Sequence, residues 1–376
     1  MKKYLFITLF TLISISSWAQ ITKENNYGIN HMKFEFRGDF DCFSKGDQLS
    51  SGFTGKFLNF YMDGDITPKF YYVFRQRINK IQKEYNFFDA TDFLYFGWRI
   101  TDRISWTMGK EIVWMGGIEY DLAPIDVYFH SHFWDNFNCY RFGTNLEFTS
   151  KNGKNLYTIQ VTNSPFDNNV VYSGLYNYSI HWRGTYKHFM TSCSVNMFEY
   201  KKGSFLNVIA LGTTFEFGPV AGYIDFANRA HGDQHQFFFK DMTAIFRCGY
   251  NIKDKMQLFL KGGYDVNDAQ YANTPVAQVY DHCVLPGTDI LFYGGGFEYY
   301  PLQGKNDIRL HAFFAVSDVR KSMEKTTIID PIITQDENGF LTITYNDETV
   351  LSTAANNTIS YQFNIGVTWR LKYIDK

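Results

Sequence analysis

Arginine and lysine recur on one parity of alternating segments: Arg75, Arg77, Arg141, Arg247 and Lys261, together with Arg99, Arg183, Arg229, Arg309 and Arg370. Acids of that parity are fewer, chiefly Glu35, Glu147, Asp225 and Asp265. Residues of one parity share one face of a strand. If such a face lines a narrow aqueous passage, its surplus of fixed cations concentrates anions there. A second group is acidic. Glu111, Glu119, Asp121, Asp126 and Asp135, with His130 and His132, fall in one non-alternating stretch at about 111–136. Carboxylates on such a segment, facing arginines on a wall, would set a transverse field across an aperture.

Other chemistry has little to stand on. His130-Ser131-His132 and His231-Gly232-Asp233-Gln234-His235 are the histidine clusters, and neither has the spacing of a zinc set. A hydrolase on a barrel rim could draw only on His231, Asp233 and His235. Gly294-Gly295-Gly296 precedes no helix, so it is no phosphate loop, and it reads as a bend or a site of close packing. Cys42, Cys139, Cys193, Cys248 and Cys283 are odd in number and far apart, which suits neither a disulfide framework nor a metal site. We therefore expect no catalytic residue, no cofactor and no metal, and a chain that is not an enzyme. A net charge of −2 gives no basic face for nucleic acid.

The elements that would position these residues are strands. Ile359, Tyr361, Phe363, Ile365, Val367, Trp369 and Leu371 alternate with Ser360, Gln362, Asn364, Gly366, Thr368 and Arg370. One face is apolar, the other polar, over the length a tilted strand needs to cross a bilayer. The same alternation predicts strands around 32–37, 58–62, 70–77, 94–100, 104–110, 137–149, 155–162 and 175–183. Others follow near 187–200, 205–217, 219–229, 241–250, 255–265, 290–300, 308–318 and 357–371, sixteen in all. Connections alternate short and long. The short ones are built from turn formers such as Asp63-Gly64-Asp65, Lys151-Asn152-Gly153-Lys154 and Gly218-Pro219, with others at Gly184 and Gly304. The long ones are 41–51, 79–91, 111–136, 163–174, 230–240, 266–289 and 319–356, and 201–204 is short on the long side.

Short inner turns with long outer loops are the habit of outer-membrane barrels. The 19% aromatic content suits an apolar belt with aromatic girdles better than a water-soluble core. Lys2 and Lys3, the uncharged run Tyr4–Ile15 and Ser17-Trp18-Ala19 read as an export signal cleaved after residue 19. The expected architecture is all-β: a transmembrane antiparallel up-and-down β-barrel of about 16 strands, one domain over 20–376, in outer-membrane lipid.

Two stretches, Asp63–Ile78 (DGDITPKFYYVFRQRI) and Trp106–Pro124 (WTMGKEIVWMGGIEYDLAP), carry a resemblance to the phosphate-selective porin O and P family of Bacteroidetes-type bacteria. The resemblance implies a sixteen-stranded homotrimeric channel with its third loop folded inward. It also implies a basic lumen that attracts phosphate-type anions. On this reading Arg75, Arg77, Arg141, Arg247 and Lys261 line the pore, and Glu111, Glu119, Asp121 and Asp126 sit on the constriction loop. Arg99, Arg183, Arg309 and Arg370 fall near the periplasmic rim, as anchors or partners of turn carboxylates. The loop's rings, Tyr120, Tyr128, Phe129, Phe133 and Trp134, are expected to pack it against the wall. A general or sugar-preferring porin of the same fold is the alternative. A barrel hydrolase and a closed receptor or adhesin barrel are more remote readings.

Overall fold

The structure, a computed structural model, describes residues 27–80, 87–166, 174–232, 234–253, 255–269, 284–302, 307–321, 323–335, 341–353 and 358–375, with backbone alone for 323–353. The expected leader at 1–19, the turn around Gly304, Asp233 and Cys283 lie outside these residues.

Alternation continues along the chain as β1 (Gly28–Lys45), β2 (Gln48–Asp65), β3 (Phe70–Arg77), β4 (Thr91–Thr101), β5 (Ile104–Ile112) and β6 (Tyr140–Thr149). Next come β7 (Asn155–Asn163), β8 (Tyr176–Thr185), β9 (Phe189–Lys201), β10 (Ser204–Phe217), β11 (Val220–His231) and β12 (Asp241–Ile252). The last are β13 (Met256–Asn267), β14 (Thr288–Tyr299), β15 (Ile308–Lys321), β16 (Met323–Gln335), β17 (Leu341–Thr353) and β18 (Thr358–Asp375). Each barrel strand pairs with its neighbours, and β1 pairs with β18 to close the ring. Sixteen strands form the barrel, while β16 and β17 make a separate two-stranded sheet. Closure leaves no unpaired backbone edge to face hydrocarbon.

One outer connection differs from expectation. The stretch 41–51 is no long loop, because β1 and β2 stay in register up to Lys45 and Gln48. Gly46, at φ +58°, takes the first central position of a two-residue hairpin turn. The stretch 319–356 is long, as expected, and carries a hairpin of its own, β16–β17.

On β4, Leu94, Phe96, Trp98 and Ile100 are exposed on the outside, and Ile359, Tyr361, Phe363 and Ile365 repeat this on β18. Among the described residues no helix is long and apolar enough to cross a membrane.

The inner face departs from a simple division of apolar outside and polar inside. Glu35, Arg37 and Asp39 face inward on β1 and Ser192, Ser194 and Asn196 on β9, all buried. Yet Phe198, Leu206, Val208, Tyr223, Ile245, Phe259, Phe292 and Phe313 are buried on that same inner parity. They pack against the long β5–β6 connection, which lies inside the barrel. The lumen therefore holds a hydrophobic core on one side. Gly294 and Gly296 permit close contact at its back, because a Cβ on either would fall 2.4 or 2.2 Å from a carbonyl oxygen of β15.

Candidate functional site: the lumen and its inward loop

Strand β5 ends at Ile112, and just before loop three it bends at Gly109, whose φ of +141° no bulkier residue adopts easily. A Cβ there would meet the Leu94 carbonyl oxygen at 2.3 Å. The neck is closed by the Val113 N–H, which donates to the Cys139 carbonyl at 2.8 Å. From there the chain runs along the inner wall, and wall side chains take the place of a strand partner. The Trp114 N–H donates to Gln160 Oε1 at 2.8 Å and the Gly116 N–H to Ser194 Oγ at 2.7 Å. The Ile118 and Glu119 N–H groups each donate to one oxygen of Asp225, both at 2.7 Å. The approach is close enough that a Cβ on Gly212 would lie 2.6 Å from Gly117 Cα. Two short 3-10 turns, Glu119–Asp121 and Pro124–Asp126, and a single-turn helix α1 (His132–Asp135), capped by Ser131, complete the loop.

The loop's acids act as pins. Glu119 meets Lys261 of β13 at 2.7 Å and accepts from the Tyr223 hydroxyl at 2.5 Å. Asp121 accepts from Arg183 of β8. Asp126 holds Arg309 of β15 at 2.7 Å and also Arg370 of β18. Arg37 of β1, paired with Asp39 at 2.8 Å, donates to the carbonyls of Ile125 and Val127. Two expectations are thereby corrected. Arg183, Arg309 and Arg370 are not membrane anchors but reach up to acids of loop three, while Arg99 meets Asp65 at the end of β2 at 2.7 Å and Arg309 also approaches Glu298 near the end of β14 at 3.8 Å. Glu119, Asp121 and Asp126 touch wall cations rather than facing them across a gap. Glu111 belongs to β5 itself, where Thr107 and Asn145 donate to it. The loop rings pack: Tyr128 stacks on Phe259, His311 and Phe313, and Tyr120 on Trp134.

These pins fall on β1 and on β7 through β18. The wall of β3 to β6 instead bounds, with loop three, a chamber of about 800 Å³. Arg77, Lys110, Arg141 and Tyr140 line it. Arg75 and Arg77 converge on one carboxylate, Asp92, at 2.9 and 2.8 Å. Arg75 also donates to the Tyr140 hydroxyl and lies over the Phe93 ring at 4.2 Å. The five cations of the sequence reading thus divide. Arg75, Arg77 and Arg141 stand on this wall. Lys261 is buried beneath loop three, and Arg247 lines a separate 240 Å³ cavity with Gln257 and Glu298. Asp92 and Asp225 anchor the two halves of the arrangement. Asp225 could be read as an inward acid; Asp92 carried no signal beyond its place just inside a strand.

Asp135 borders the chamber beside His130, at 3.4 Å. Its side chain is 63% exposed, on a surface that borders the chamber. Desolvation by the surrounding protein pushes its carboxyl up to about 6, with Lys261 opposing and Asp265 and Glu119 adding. Burial pushes His130 down to about 4, so it stays neutral through that window. As the pH falls through about 6 Asp135 loses its charge, and the chamber loses one negative site. The anion-to-cation permeability ratio is expected to rise between pH 7 and 5, measured as reversal potential, and Asp135→Asn should flatten that rise.

Of the residues that might serve hydrolysis, His231 is 2% exposed with its ring 5.0 Å from Tyr200. Among the described residues no group of three or more His, Cys, Asp or Glu could hold a metal ion. Cys42, Cys139, Cys193 and Cys248 are free thiols.

A closed sixteen-stranded barrel with its third outer loop laid inside the lumen is the architecture of an outer-membrane channel. The sequence profile of the family described as phosphate-selective porin O and P matches residues 31–225, more than half of the chain. The chain belongs to that family and is a porin, a water-filled channel for small polar solutes in the outer membrane. Solved structures share the fold. The anion-selective porin from Comamonas acidovorans is similar at a TM-score of 0.60 and 8% identity, over 92% of this chain and 100% of that one. OmpT of Vibrio cholerae is similar at 0.55 and 10%, over 94% and 100%. The DcaP channel of Acinetobacter baumannii is similar at 0.55 and 11%, over 92% and 98%. No curated protein sequence matches.

Proposed function

We propose that this porin prefers anions and that its solutes pass along the wall of β3 to β6. The observation that carries the reading is the convergence of Arg75 and Arg77 on the single carboxylate of Asp92. Two guanidiniums share that one carboxylate, and Arg77, Lys80, Lys110 and Arg141 border the chamber, with Asp89, Glu119 and Asp135 on its other sides. Fixed cations in a confined, partly low-dielectric passage raise the local concentration of anions. Family membership and the anion selectivity of the Comamonas porin support the same reading. The chain acts as a channel and not as a hydrolase, in keeping with a His231 ring buried against Tyr200. We include in the proposal a homotrimeric assembly, as the trimer form of Vibrio cholerae OmpT suggests. Export through a leader cleaved after residue 19 also belongs to it.

The test is reversal potential across a planar bilayer in a potassium chloride gradient. Anion selectivity is expected, and Arg77→Ala, alone or with Arg75→Ala, should move the potential toward the cation side. A near-neutral or cation-selective wild type would sink the reading and leave a general porin.

A further inference from the structure

The wall that loop three leaves uncovered carries rings where a pore for simple ions needs only charge. On β4, Phe93 and Tyr95 take the inward parity, opposite to the exposed Leu94, Phe96 and Trp98. Tyr140 of β6 stands 5.4 Å from Phe93, and Phe93 stands 6.2 Å from Tyr95, between ring centres. Tyr71 of β3 continues the file by lying across Gly97, where a Cβ would fall 2.1 Å from the Tyr71 ring. Gly97 thus makes room for the ring, which would otherwise stand out into the lumen. Phe93, Tyr95 and Tyr71 are half-buried, each with part of its surface open.

The file runs inward from the chamber toward the periplasmic end, with a guanidinium at either end. Arg75 lies over Phe93 and Tyr140 at 4.2 and 5.2 Å, and Arg99 lies over Tyr71 at 4.6 Å. Ring faces carry negative quadrupole charge, so a bare inorganic anion gains nothing from them. A solute with both an acidic group and a ring gains twice: the acid meets Arg99, whose side chain is 44% exposed beside Asp65, and the flat or apolar face meets Phe93 and the tyrosines, while the buried Arg75 fixes the Phe93 and Tyr140 rings from behind.

We propose that this file is a binding track for small organic anions bearing a flat or apolar ring face, favoured over simple anions of similar charge. Aryl carboxylates and sugar phosphates are the two sources of that chemistry. The proposal deepens the anion-preferring reading and rests on it.

The experiment uses the purified protein in planar bilayers carrying a chloride current. Benzoate is compared with acetate, and glucose 6-phosphate with inorganic phosphate. Half-block by the ring-bearing member is expected at a concentration about tenfold lower than by its partner. A difference in the first pair alone assigns the track to aryl carboxylates, and in the second alone to sugar phosphates. Tyr95→Leu and Phe93→Leu should bring the ratio within the responsive pair toward one, whereas Tyr95→Phe should keep it and shows that a folded variant can report. Ratios near one in both pairs for the wild type overturn the track. So does a wild-type preference untouched by both leucine variants. A cation-selective reversal potential in the same membrane overturns the anion reading separately, whatever the ring-bearing solutes do.

Discussion

Asp126→Ala should raise single-channel conductance and cost about 3 kcal/mol of stability, the low end for breaking a buried ion pair. Asp126 is the point where loop three is tied to the far side of the barrel, since its carboxylate holds both Arg309 and Arg370. Their side chains are 9% and 14% exposed, so removing the carboxylate leaves two like charges close together with little water to screen them. The low end applies because each arginine keeps a second acid within reach, Glu298 at 3.8 Å and Glu35 at 3.4 Å. Arg37 would still grip the Ile125 and Val127 carbonyls. The loop should therefore loosen at its middle and not leave the lumen. Conductance steps in planar bilayers and the melting temperature of the detergent-solubilised barrel measure the two effects. Wild-type conductance with lowered stability would show that the pin braces the wall without setting the aperture.

Asp225→Ala should cost a similar amount, about 3 kcal/mol, by a different route. Its two oxygens accept the Ile118 and Glu119 N–H groups, both at 2.7 Å, in a place where Asp225 is 4% exposed. Hydrogen bonds to a charged acceptor contribute about 1.5–3 kcal/mol each, and amides left unpaired away from water keep their desolvation cost. The Gly116-Gly117 stretch has no side chain to hold it, so the loss should fall on the loop's entry into the lumen. The expected result is a lower melting temperature together with new proteolytic cleavage near residue 117. Asp225→Asn, which keeps one acceptor oxygen, should recover about half of the stability. Equal effects of the two variants would count against the paired-acceptor account.

The two predictions concern groups of very different legibility. Strand identity was readable because it is local. Ile359 to Leu371 alternates without a break, and a side-chain period of two has no other common cause over that length. The sorting of turn formers to one end and loops to the other pointed to the barrel. Where reading failed in the fold, the failure was also local: the alternation through 41–51 is diluted by glycine and serine, and Gly46 marks a tight hairpin instead of a loop.

In the lumen, the sequence showed which residues point inward but not what they meet. Arg183, Arg309 and Arg370 were assigned to a rim because distance along a strand was the only coordinate at hand. Their partners, Asp121 and Asp126, lie 62, 183 and 244 positions away, across the barrel. Phe259, Phe292 and Phe313 stand on the inner parity as a core, which a rule of apolar outside and polar inside cannot foresee. The amino-acid sequence by itself determined the strands, their faces, the closed barrel and the one acidic loop, because each follows from periodicity and turn chemistry within short windows. The inward course of this loop was implied by family resemblance alone; only the tertiary structure decided which wall it lies against, that its acids are spent on pins, and that the chamber and its rings lie along β3 to β6. The physical reason is that these facts depend on contacts between segments far apart in sequence, which no local pattern records.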